Sequence, residues 1–188
     1  MRSVAWDGDW SRSQSFDSPD TRWWYVQQGF GAGHNGVDWA VPNDTPLRAI
    51  EAGTITEVAY HEVGYGHHLR WVTPEGYEWL YAHMRRVDVS EGQWVDQGTY
   101  LGPSDFSGIG SSGPHLHVGL RGPAPNWSVL NGYIDPEPRM TAIGFLGHGS
   151  PQPAPAWTPS LPSIPPNSLL PVALALGGAG LLLLVLSD

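Results

Sequence analysis

Between residues 21 and 122 apolar and polar positions alternate in short runs broken by glycine, proline, asparagine and aspartate. Period-2 alternation of this kind marks half-buried strands joined by turns. The pattern predicts strands at Trp23–Val26, Val37–Val41, Leu47–Ile50, Thr54–Tyr60, His68–Val72, Tyr77–His83, Val95–Leu101 and Leu116–Leu120. Turn signals such as Pro42-Asn43-Asp44-Thr45-Pro46 and Pro74-Glu75-Gly76 recur at the roughly 8–12-residue spacing of an all-β domain. The fold class expected is mainly β, short strands joined by many turns.

The flanks read differently. Residues 1–20, rich in serine and aspartate with Trp6 and Trp10 as isolated apolar positions, predict an arm lying on the domain or partly loose. They hold no apolar run behind a basic start, so no N-terminal secretory signal is expected. Residues 21–146 form the globular part. Prolines crowd residues 147–168, the composition of an extended polyproline-II spacer. Leu169 to Leu186 then runs without a charge. At about 1.5 Å per residue a helix over 169–186 would span roughly 27 Å, close to the ~30 Å of a hydrocarbon core. A single membrane-spanning helix is the expectation. Packing of a hydrophobic tail on a partner is the alternative, left open by Gly177, Gly178 and Gly180. The nearest basic residue is Arg139, too remote to set an orientation.

Composition narrows the functions available. Eighteen acidic residues against nine arginines, with no lysine, give a net charge of −9. No basic stripe exists for phosphates, which argues against nucleic acid as a partner. The lack of lysine excludes Schiff-base chemistry. With no cysteine, a transition-metal site has only histidine, aspartate and glutamate to draw on.

Three stretches carry such residues. In Gly113-Pro114-His115-Leu116-His117 two histidines stand two apart in a strand pattern, so they share one face with Cα atoms about 6.6 Å apart. Both could bind a metal, or one could bind it while the other works on water. His34 and Asp38 stand four apart in His34-Asn35-Gly36-Val37-Asp38. A straight strand would hold them about 13 Å apart, whereas a turn at Asn35-Gly36 could fold them onto one point. Alternatively Asp38 caps a turn and His34 is solvated. His83 closes the run Trp79-Leu80-Tyr81-Ala82-His83. Two histidines and an aspartate fit a three-ligand zinc site with a position left for water. Two further histidines beside it would supply proton transfer.

His34-Asn35-Gly36-Val37-Asp38, Tyr81-Ala82-His83-Met84 and Gly113-Pro114-His115-Leu116-His117 resemble, in this order, the three signature motifs of lysostaphin/LytM-type zinc metallopeptidases. The text between is similar too, in Gln28-Gly29-Phe30-Gly31, Thr45-Pro46-Leu47-Arg48-Ala49 and Gly98-Thr99-Tyr100-Leu101-Gly102. The resemblance covers residues 25 to 138. It implies the lysostaphin-like (duplicated hybrid motif) fold, a mostly antiparallel β-sheet with long loops forming a groove, and one zinc ion on His34, Asp38 and His117. It implies His115 as general base and His83 as the residue that orients water or stabilises the oxyanion. It also implies an endopeptidase acting on stem peptides or crossbridges of bacterial peptidoglycan.

Some positions depart from that pattern. Asp44 stands where glycine is frequent, and Met84 follows His83 where leucine is frequent. A tyrosine shortly before the first ligand holds the oxyanion in some members; here Phe30 is nearest and Tyr25 is further off, which leaves that role unassigned. The loop Ser104 to Ser112 is about one residue longer. His61, His67, His68 and His148 are read as structural or surface residues, and Trp23 or Trp24 as a candidate substrate contact. The alternative function is a non-catalytic, membrane-anchored wall-binding or structural virion component. For an enzyme without a signal, a phage lysin carried in the particle or a bacterial enzyme held by its C-terminal helix are the expected settings.

Overall fold

A computed structural model describes residues 10–111, 113–123 and 130–144, all within the compact unit Met1–Pro155. Its elements in chain order are β1 (Ser11–Gln14), α1 (Pro19–Gln28), β2 (Gly36–Ala40), β3 (Pro46–Arg48), β4 (Gly53–His61), β5 (Gly66–Val72), β6 (Glu78–Met84), β7 (Trp94–Val95), β8 (Tyr100–Pro103), β9 (Leu116–Arg121) and α2 (Glu137–Ala142). Seven strands form one antiparallel sheet in the order β1-β2-β9-β6-β5-β4-β7, and β3 pairs with β8 beside it. The linker and apolar run expected at 147–168 and 169–186 lie outside the described residues. Among the described residues no helix is long and apolar enough to cross a membrane.

The alternation read from the sequence becomes two sheet faces. Val37, Trp39, Leu69, Trp71, Trp79, Tyr81, Leu116, Val118 and Leu120 point into the main core with Leu47, Ile50 and Leu101. Trp71 and Trp79 stack at 6.2 Å and Tyr81 meets Trp71 edge-on at 5.0 Å. Full burial of such side chains contributes roughly 1.5–3 kcal/mol each, which makes this layer the main source of stability. The other face carries a smaller cluster of Leu80, Ala82, Leu130 and Tyr133. Polar residues occupy the rest of it, and the candidate site lies there.

Two expected strands came out differently. Trp23–Val26 is helical, within α1. Its residues have the aromatic and branched side chains that favour strands, yet the ends decide the matter. Pro19 takes the first turn, Asp20 sits near the N-terminus, and Gly29 stops the helix at φ 75°. The Phe30 N–H closes back on the Tyr25 carbonyl at 2.9 Å, a Schellman-type end that glycine permits without strain. α1 therefore starts at Pro19, inside the stretch read as an arm, and residues 11–14 of that stretch pair with β2. Val95–Leu101 is also interrupted. A turn with Thr99 N–H on the Asp96 carbonyl (3.0 Å) splits it into β7 on β4 and β8 on β3.

Candidate metal centre and groove

Adjacent strands β2 and β9 set Asp38 directly opposite His117. Both side chains project from the polar face, and His34 reaches the same point from the residues just before β2. His34 Nε2 lies 3.1 Å from Asp38 Oδ1 and 3.0 Å from His117 Nδ1, and His117 Nδ1 lies 2.9 Å from Asp38 Oδ1. The approach needs no tight turn at Asn35-Gly36, contrary to the sequence expectation. Gly36 already belongs to β2, and its lack of a side chain serves packing instead. A Cβ there would come within 2.5 Å of the Val118 carbonyl oxygen and 2.6 Å of His117 Cε1.

All three residues are buried, and their protons can be counted. The Ser15 carbonyl only accepts, so His34 Nδ1–H donates to it at 2.9 Å. In the neutral tautomer with that proton on Nδ1, Nε2 faces inward as an acceptor. Asp38 offers carboxylate oxygens. Burial opposes its ionisation, but the contacts with His117 and His34 hold its carboxyl well below the usual carboxylate range. Burial pushes His117 down, partly countered by Asp38, which favours its neutral ring. With both rings neutral, at most one proton, on His117 Nδ1, serves three close contacts. The others set acceptor against acceptor. A cation relieves that conflict, and three ligands at ~2.0–2.1 Å in tetrahedral arrangement stand about 3.3 Å apart, close to the spacing seen. With His117 bound through Nδ1, its Nε2 carries the proton; that atom is buried without a hydrogen-bond partner among the described residues. The donor set fits zinc.

His83 reaches the same groove through an irregularity in β6. Tyr81 and Met84 both face the core, Ala82 lies opposite His117, and the pairing with β5 shifts register between His67 and Leu69. One extra residue is accommodated at Ala82–His83, where His83 adopts φ 60°. A β-bulge re-aims a side chain in this way, and a left-handed non-glycine residue at a site is a strained position maintained by its surroundings. Regular alternation would have sent His83 into the core. Its Nδ1–H donates to the Ser107 carbonyl at 2.8 Å, and its backbone N–H to the Tyr65 carbonyl at 2.8 Å. Burial, then the neighbouring His115 and His117 rings, push its pKa down to about 3.

His115 precedes β9, with Nδ1–H on the Gly113 carbonyl at 2.7 Å and its ring 4.5 Å from that of His83. His115 Nε2 stands 3.8 Å from Asp38 Oδ2. The five residues picked out in the sequence thus meet at one place. The groove over them measures about 490 Å³ and is also lined by Trp24, Tyr25, Phe30 and Tyr65. Trp23 is exposed instead. Sequence reading left Tyr25 unassigned and missed Tyr65. Tyr25 stacks on His34 at 5.4 Å and accepts a hydrogen bond from Gln14 (3.1 Å), leaving its own O–H to donate. Burial and then the charge of Asp38 raise its pKa, which keeps it a neutral phenol. The helix signals around Pro19 and Gly29 could have found Tyr25, since Thr21, Trp24 and Tyr25 then share one helix face.

A sequence model of peptidase family M23 matches residues 32–131, slightly more than half of the chain. The chain belongs to peptidase family M23. Glycyl-glycine endopeptidase ALE-1 of Staphylococcus capitis is 36% identical over 117 residues, 61% of this chain and 31% of that protein. Lysostaphin of Staphylococcus simulans is 30% identical over 132 residues, 68% of this chain and 26% of its own length. An uncharacterized metalloprotease of Haemophilus influenzae is 38% identical over 84 residues, 45% of this chain and 18% of that one. The matches thus span between 18% and 31% of these relatives. Among solved structures, a point-mutant catalytic domain of the prophage-encoded M23 protein EnpA from Enterococcus faecalis superposes with a TM-score of 0.56 at 25% identity, over 69% of this chain and 91% of that one. The lysostaphin catalytic domain gives 0.53 at 29%, over 58% and 80%. The mainly antiparallel β fold expected from the sequence is that of these M23 neighbours.

Proposed function

We propose that the chain is a zinc-dependent endopeptidase that hydrolyses peptide bonds in the stem peptides or crossbridges of peptidoglycan. One observation carries the reading. Three ligand atoms of His34, Asp38 and His117 converge within 3.1 Å of one another under a groove, beside two histidines whose Nδ1 atoms are each anchored on a backbone carbonyl. The names of M23 relatives support the substrate class: ALE-1 is a glycyl-glycine endopeptidase, and ShyA of Vibrio cholerae, 33% identical over 89 residues, is a peptidoglycan DD-endopeptidase.

In this reading His34, Asp38 and His117 hold zinc, which when bound supplies Lewis acidity for polarising a peptide carbonyl and acidifying water. His115 is the general base. Its Nδ1–H is fixed on a carbonyl, so Nε2 takes the proton and later returns it to the leaving amine. His83, neutral and anchored likewise, first accepts a hydrogen bond and so orients the attacking water. It can donate only after gaining a proton. Of the two roles implied for His83 by family resemblance, orientation of water therefore comes first. Tyr25, with its O–H free, is the donor for charge developing on the substrate oxygen.

The test is release of new amino termini from purified cell walls. Wild-type protein releases them with zinc and stops with a chelator, and zinc restores the reaction. His115→Ala lowers the rate on the order of 10²-fold or more while zinc stays bound. Zinc-loaded wild-type protein that released nothing from walls of several crossbridge types would sink the proposal. Residues 169–186 are the proposed membrane anchor, in a phage particle or in a bacterial envelope.

A further inference from the structure

A second group of ligand atoms lies on the same face of the sheet, away from the centre above. Glu57 and His61 stand four apart on β4, and His68 lies on β5 opposite Ala59, between them. Alternation along β4 turns Glu57, Ala59 and His61 to one side, and the cross-strand diagonals bring His68 to both. One ligand atom from each of the three falls within 4.8 Å of the others. The His61 and His68 rings are 4.5 Å apart.

His68 gives this group its meaning. It is fully buried, and its Nε2 has no hydrogen-bond partner among the described residues. Its Nδ1–H donates to the Gly66 carbonyl at 3.0 Å, so Nε2 carries a lone pair. That lone pair faces Glu57 Oε1 at 3.8 Å. Two acceptors oppose each other with nothing positive between them. Arg70 does not fill the gap, because it binds the other carboxylate oxygen, Oε2, at 2.5 Å. A carbonyl holding the far N–H of a histidine is the usual outer support of a metal ligand. To reach tetrahedral spacing the ligand atoms must close by roughly 0.5 Å for the His68–Glu57 pair and by at most about 1.5 Å for the others. His61 is exposed and Glu57 half-buried, so both have room to move onto the fixed His68.

We propose that Glu57, His61 and His68 form a second site for a divalent transition cation of the zinc class. Two imidazoles and one carboxylate suit zinc, nickel or copper better than calcium or magnesium, which favour oxygen. The Tyr65 ring stands between the two centres, 5.4 Å from His68 and 5.7 Å from His117. His61 and Tyr65 both line the groove over the first centre. The second ion therefore sits in the groove wall and adds positive charge there. The site does not depend on the peptidase reading.

Zinc counted on the full chain tests it. Protein without a histidine tag is stripped with a chelator, dialysed against free Zn2+, and its ions per chain are measured by elemental analysis. The wild type is expected to hold two ions. Glu57→Gln, which keeps the shape of the side chain, and His61→Ala, at an exposed position, are each expected to hold one. Asp38→Ala removes the other ion, and Asp38→Ala with His61→Ala leaves none. One ion in the wild type, retained in His61→Ala and Glu57→Gln and lost in Asp38→Ala, overturns the proposal and makes the His68–Glu57 contact a proton-mediated pair. One ion lost in His61→Ala and kept in Asp38→Ala upholds the second site while removing the first. No ion in any form overturns it.

Discussion

Gly36 shows how little freedom the candidate centre has. It pairs with Gly119 on β9, and the His117 ring lies against it so closely that an added Cβ would meet Cε1 at 2.6 Å and Nε2 at 2.7 Å. The backbone oxygen of Val118, at 2.5 Å, cannot give way without breaking the strand pair. Gly36→Ala should therefore displace the His117 ring and separate β2 from β9. Overpacking of this kind costs about 1–3 kcal/mol. Thermal unfolding should move down by several degrees, and zinc affinity should fall further than that loss explains, because one ligand is displaced. An alanine variant with unchanged zinc affinity would show that the ring is not confined by this glycine. The sequence displayed the Asn35-Gly36 pair openly, and its turn chemistry was the natural reading. What it could not display was the ring of His117 lying against that glycine from far along the chain, since only the β2–β9 register creates the contact.

At the level of elements, β1 and α1 complete the site from outside the stretch matched by the family model. Ser15, just after β1, fixes the His34 tautomer through its carbonyl, and Tyr25 of α1 covers the His34 ring. Loss of an outer partner of a metal ligand typically lowers affinity about 10–100-fold. A chain starting at residue 31 keeps β2 to β9 and should retain the circular dichroism of a folded sheet. Its zinc affinity should drop within that range, as measured by competition with a chromophoric chelator. Full affinity in the shortened chain would make the β1–α1 segment dispensable. Most strands could be read from period-2 alternation because their core face is large and apolar, as in Trp71, Trp79 and Tyr81. The same rule failed at Trp23–Val26, where capping at Pro19 and Gly29 outweighs side-chain preference. It was also silent on the bulge at Ala82–His83. Alternation sends His83 to the core, and only a strained φ of 60° turns it to the groove. Its motif was legible; the backbone device that delivers it was not.

On the scale of the whole molecule, the groove and its chemistry lie between Gln14 and His117, far in sequence from the uncharged run 169–186. Catalysis and anchoring should therefore separate cleanly. As the proposed helix, eighteen residues at about 1.5 Å rise span roughly 27 Å, just short of a ~30 Å hydrocarbon core, which leaves no length for tilt. Shortening it should then be more damaging than moving it. Chain ending at residue 146 should hydrolyse isolated walls at a rate within about twofold of the full chain, since none of the groove-lining residues is removed. Expressed in cells, the full chain should sediment with membranes and resist extraction by salt, whereas the shortened form should stay in the soluble fraction. Salt matters here because a net charge of −9 gives anionic lipid no electrostatic reason to retain the protein. Binding that survives high salt must come from buried apolar surface. A full chain found wholly in the soluble fraction, or released by salt alone, would refute the anchor while leaving the peptidase reading to its own test.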